Sequence, residues 1–117
     1  MTRSIPLIVA AAAAMVVCTG ADGQTPASTG NADVGSQKVQ MCQGCHGIPG
    51  WRTAYPEVYQ VPKIAGQHQA YIVKALQEYK NGNRTHPSMR AIASTLSDAD
   101  MANIAAYYAQ LGSKADR

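Results

Sequence analysis

Residues 41–47 read Met-Cys-Gln-Gly-Cys-His-Gly, and no other stretch restricts the fold of this chain so strongly. Cys42 and Cys45 lie three apart, and His46 follows directly. On one helical turn, residues three apart share a face, so two thiols can reach the same flat partner. This is the C-x-x-C-H spacing of c-type haem attachment: each thiol adds to one vinyl group, and the histidine supplies an imidazole to the iron. Gln43 and Gly44 leave room for the turn to lie against a porphyrin edge. Three other readings compete: a structural disulfide, a thioredoxin-like redox pair, and half of a zinc site. A redox pair usually follows a strand in a βαβ unit, and no such strand is legible here. A tetrahedral zinc site needs four ligands, and only His68 and His86 remain to complete one.

The start of the chain bears on those cysteines. Arg3 precedes an apolar stretch over residues 5–17, followed by the small residues Gly20, Ala21 and Gly23. The stretch is too short to span a bilayer comfortably and reads as a secretory signal peptide over residues 1–23. An uncleaved membrane anchor is the alternative. Cleavage removes Cys18 and leaves Cys42 and Cys45 alone in an oxidising compartment, where free pairs tend towards disulfides. Thioether bonds to haem remove that outcome. Residues 24–30 are rich in Pro, Ser, Thr and Gly and read as a flexible leader.

The chain has 117 residues, no Phe and one Trp, enough for a single small domain. Domains of this size bury a limited fraction of their surface and often need a metal, a disulfide or another staple. A haem supplies that apolar mass. The net charge of +3 is mild. Lys and Arg are scattered without interleaved aromatics, which gives no nucleic-acid footprint.

Helical periodicity dominates the rest. Asn31 or Asp33 can cap a helix running towards Met41. Gly35 inside it costs about 1 kcal/mol against Ala; either a close helix crossing or a solvent-side position accounts for it. Residues 47–66 carry Pro49, Gly50, Pro56 and Pro62 and read as an ordered loop, with Trp51, Tyr55, Val58, Tyr59 and Val61 to bury. Residues 67–81 form a helix with Tyr71, Ile72, Ala75, Leu76 and Tyr79 as its apolar stripe, and Gly82 stops it. Residues 83–88 read as a loop, and 89–96 hold at most a short helical turn. Residues 97–111 are the clearest helix. Ser97 and Asp100 resemble a capping box, Met101, Ile104, Ala105, Tyr108 and Leu111 form the buried face, and Gly112 ends it. No segment sustains period-two alternation. The expected class is all-α, with three main helices and long ordered loops.

In that order the elements resemble the small bacterial class I cytochromes c, of the single-haem type or one half of the dihaem type. The resemblance covers residues 31–111, within a domain expected over 31–117. It is carried by Gly35 with the 41–47 motif, by Val61-Pro62-Lys63-Ile64-Ala65-Gly66-Gln67 and by Tyr71-Ile72. Asn81-Gly82-Asn83-Arg84, Met89, Leu96-Ser97-Asp98-Ala99-Asp100 and Ala105-Ala106-Tyr107-Tyr108 complete it. The long 50–61 loop departs from the commonest pattern, a departure that bears on the haem edge and the partner face.

The resemblance implies loops wrapped around one covalent haem c. Cys42 and Cys45 carry it, and His46 and Met89 are its axial iron ligands. The Pro62 carbonyl accepts the second His46 ring N–H, Ile64 packs on the haem, and Arg84 neutralises a propionate. Gly35 sits where the first and last helices cross, against Tyr107 or Tyr108. His86 stands as an alternative to Met89 on the iron, and His68 reads as solvated. The implied activity is one-electron transfer in the periplasm between a donor and an acceptor redox protein, with no catalysis and no transmembrane segment in the mature chain. The protein acts as a monomer or as a cytochrome subunit of a periplasmic dehydrogenase or oxidase.

Overall fold

The structure, a computed structural model, describes residues 29–55 and 57–115. The expected signal peptide and most of the expected leader lie outside the described residues. Five helices and one short hairpin follow in order: α1 (Ala32–Ser36), α2 (Gln40–His46), β1 (Arg52–Thr53), β2 (Tyr59–Gln60), α3 (Gln69–Asn81), α4 (Pro87–Ser94) and α5 (Asp98–Ala115).

α5 is the axis of the fold. Its apolar stripe buries Met101, Ile104, Ala105 and Tyr108, as the periodicity predicts. Ile72 and Leu76 of α3, Ala93 of α4, Leu96 and Val39 close over it as one core. Complete burial of a side chain the size of Met101 contributes about 1.5–3 kcal/mol. The start of α5 is a reciprocal capping box. The Asp100 N–H donates to Ser97 Oγ at 3.1 Å, and the Ser97 N–H donates to Asp100 Oδ2 at 3.3 Å.

α1 crosses α5 at Gly35. A Cβ there would overlap the Asn103 carbonyl and meet Tyr107 Cβ at 3.0 Å. Of the two sequence readings, the close crossing is the one realised, against Asn103 and Tyr107. Asn31 caps α1, its Oδ1 accepting from the Asp33 and Val34 N–H groups. Its own N–H donates to Asn103 Oδ1 at 2.7 Å, which fixes α1 to α5 at one end.

Four local expectations change. The first helix is two short ones. The turn between them brings Lys38 Nζ to 2.6 Å from Asp100 Oδ1, while Val39 enters the core. The 89–96 turn is a two-turn helix that begins at Pro87, whose fixed φ and missing N–H suit a first helical position. α5 runs past Gly112, and that glycine serves instead as a packing point, meeting the backbone of Gly66 where any side chain would collide. Finally, the loop residues are not buried: Trp51 is 42%, Tyr55 86%, Val58 72% and Tyr59 55% exposed. The loop is ordered by its own backbone instead. β1 and β2 pair antiparallel, the Val61 N–H donates to the Trp51 carbonyl at 2.9 Å, and Thr53 Oγ1 donates to Glu57 and Tyr59 carbonyls. Strands of two residues are too short to show alternation in the sequence.

Candidate haem site

α2 presents the attachment motif. Cys42 and Cys45 are free thiols, both half-buried, on one face of a seven-residue helix. Gln43, between them, donates from Nε2 to Tyr107 Oη at 3.1 Å and ties the helix to α5. A Cβ at Gly44 would meet no protein atom within 4 Å.

His46 ends α2, and its Nδ1 lies 2.7 Å from the Pro62 carbonyl oxygen. A carbonyl only accepts, so the proton of this hydrogen bond is on Nδ1, and Nε2 keeps its lone pair. That is the arrangement of a metal-ligating imidazole whose second nitrogen is held by the protein. His46 also lines a cleft of about 520 Å³ with Gln43, Gly47, Pro49, Lys63 and Leu111.

The other residues that the resemblance implies come from distant segments. Cys42, Ile64 and Met89 all pack, partly buried, against the one hydrophobic core. Met101, the competing thioether, is wholly inside it. Met41 is 57% exposed on the attachment helix. Met89 is therefore the methionine that is neither sealed away nor on the attachment side.

The competing readings of the cysteines fare poorly. Burial raises the Cys42 thiol above its usual pKa, the opposite of the lowered value that a nucleophilic redox cysteine needs. Among the described residues no three His, Cys, Asp or Glu side chains cluster as a metal site, which leaves the zinc reading without its ligands. His68 is exposed, as expected. Arg84 points its Nε to Glu78 Oε2 at 2.8 Å and stacks over Tyr71 and Tyr79, with centroid distances of 5.7 and 5.5 Å. Tyr71 and then Glu78 push its pKa further up, so it stays cationic.

Two contacts have no counterpart in the sequence reading. The Gly66 N–H donates to the Tyr108 carbonyl at 2.8 Å, which locks the loop after Pro62 onto α5 beside the glycine pair. The Tyr108 hydroxyl is buried without a hydrogen-bond partner, and burial raises its pKa.

Thiols, oriented imidazole and thioether around one apolar core define a haem-binding all-α domain of the class I type. The family model described as Cytochrome c matches residues 32–112. The chain belongs to the cytochrome c family, whose covalently attached haem c, with its iron, fits the residues just described. Cytochrome c4 of Pseudomonas aeruginosa is 39% identical over 82 residues, 70% of this chain and 39% of the relative. Cytochrome c-554(548) of Halomonas halodenitrificans is 37% identical over 82 residues, 68% of this chain and 94% of the relative. The cytochrome subunit of sulfide dehydrogenase of Chlorobaculum tepidum is 34% identical over 73 residues, 62% of each. The chain thus spans less than half the length of the cytochrome c4 relative and nearly all of the shorter c-554(548). Members of this family transfer electrons and are not enzymes. No helix among the described residues is long and apolar enough to cross a membrane.

Proposed function

We propose that this chain is an exported, monohaem, one-electron carrier of the periplasm, with residues 1–23 as its signal peptide. Cys42 and Cys45 hold the haem, and His46 and Met89 ligate its iron. The observation that carries the reading is the His46–Pro62 hydrogen bond, which leaves Nε2 free and fixes the ring plane. When bound, the haem supplies the one-electron iron couple. His46 and Met89 would hold the iron, and the apolar side chains of the core would surround the ring. Met ligation and an apolar pocket both raise the reduction potential. The experiment is direct. Haem should stay with the polypeptide through denaturation and acidic organic extraction, and the protein should titrate as a one-electron couple. Extractable haem, or covalent haem in the Cys42→Ala, Cys45→Ala double variant, overturns the proposal.

A second reading, a cytochrome subunit of a dehydrogenase complex, is favoured by the exposed Trp51, Tyr55 and Val58 on the 50–61 loop. Sedimentation of the native protein separates the two: a monomer supports the free carrier, a stable hetero-complex the subunit.

A further inference from the structure

The four residues 59–62 touch both sides of the site. At one end, the Pro62 carbonyl holds His46 Nδ1 at 2.7 Å. At the other, the Tyr59 ring stands edge-on to the His86 ring, with centroids 5.4 Å apart and planes at 64°. His86 is the N-cap residue of α4, three residues before Met89. Its side chain makes no capping hydrogen bond, and its Nδ1 is buried with no partner. The ring is therefore placed by packing, and its aromatic neighbour is Tyr59. Pro87 follows as the first helical residue with its φ fixed. His86 and Pro87 open the helix that carries Met89, so a held His86 ring restrains the start of that helix.

We propose that Tyr59 is a positioning residue for the distal ligand: the hairpin braces His86, and through Pro87 it fixes Met89. The proposal rests on Met89 being that ligand. The hairpin then does more than lengthen a loop. It couples the two axial ligands through one short segment, and loss of the Tyr59 ring alone loosens Met89 while the Pro62 carbonyl still holds His46. Tyr59 is 55% exposed, so its replacement leaves the core intact.

The test uses the full haem-loaded protein and reads the far-red sulfur-to-iron band of the oxidised state, together with imidazole binding to the iron. Tyr59→Ala and Tyr59→Leu should raise the affinity for imidazole by about 3- to 10-fold, the scale of one lost aromatic contact. Both should also lower the pH at which the band disappears. Tyr59→Phe should restore the wild-type values, and Tyr55→Ala on the same hairpin should leave them unchanged. Unaltered imidazole affinity in both ring-deleting variants overturns the proposal. So does an effect no larger than that of Val39→Ala, a core variant that loosens the fold generally. A band that is absent from the wild type, or that survives in Met89→Leu, sinks the ligand assignment itself and is told apart by that control.

Discussion

The Pro62 carbonyl accepts the His46 ring N–H across sixteen residues of sequence, at 2.7 Å. One backbone oxygen thereby decides which imidazole nitrogen is available to iron. Proline fixes its own φ and carries no N–H, which removes one backbone torsion and one donor from the segment that presents the oxygen. The same carbonyl ends the hairpin segment, so the His46 ring and the loop order are one structural unit.

In the proposed site Met89 is the distal ligand, whereas Met101 is a core residue. Met89→Ala should abolish the far-red band, lower the reduction potential and open the iron to carbon monoxide. Met101→Leu should keep band and potential, because that side chain is fully buried among apolar neighbours and near-isosteric swaps cost less than about 1.5 kcal/mol. Retention of the band in Met89→Ala places the ligand elsewhere.

Gly35 should tolerate no side chain. Gly35→Ala drives a Cβ into the Asn103 carbonyl, a backbone atom that cannot rotate away. The expected cost is about 1–3 kcal/mol, read as a fall in Tm of roughly 4–8 °C per kcal/mol. Gly44→Ala meets open space and should leave the protein as stable or slightly more so, since Ala favours helix. Equal melting of the two variants contradicts the crossing.

Asp100 carries a pH signature. Hydrogen bonding to Lys38, then to Ser97, lowers its pKa to about 2 from 3.8. A carboxylate held below its unfolded value stabilises the fold fully above that unfolded value, and the contribution fades as pH falls towards the folded one. The stability gap between wild type and Asp100→Asn should be constant near neutrality and close between about pH 4 and pH 2. A gap that stays open at pH 2 shows that charge is not its origin.

Salt should report on docking. Arg52, Lys63 and Arg90 are exposed, whereas Arg84 is turned onto Glu78 and two tyrosine rings. If the free cations steer an acidic partner, the bimolecular electron-transfer rate should fall about tenfold or more as salt rises past ~0.1 M, where screening acts over ~10 Å. Arg84→Gln should leave that salt dependence unchanged. A rate indifferent to salt removes the steering.

Much of this protein is local enough to be read along the chain. The C-x-x-C-H spacing needs only one helical turn. The stripes of α5 and of α3, apart from Tyr71, which is exposed, need only a period of 3.6, and the Ser97–Asp100 cap only four residues. Each is a property of neighbours in sequence, so composition and spacing suffice for it.

Long-range relationships belonged to the tertiary structure. Gly35 could have faced solvent until α5 arrived to cross it, and Gly112 reads as a helix stop until Gly66 is found against it. Pro87 suits either a turn or the first position of a helix, and the burial of Ala93 in the core selects the helix. The aromatic residues of the 50–61 loop look like core by hydrophobicity, yet the hairpin satisfies its backbone alone and leaves them outside. Hydrophobicity states what a side chain gains by burial, whereas only the packed fold states whether a partner is there to bury it. Arg84, Tyr59 and His86 follow the same logic, since a ring or a charge acquires its role from what stands opposite, and that is set by residues far away in the sequence.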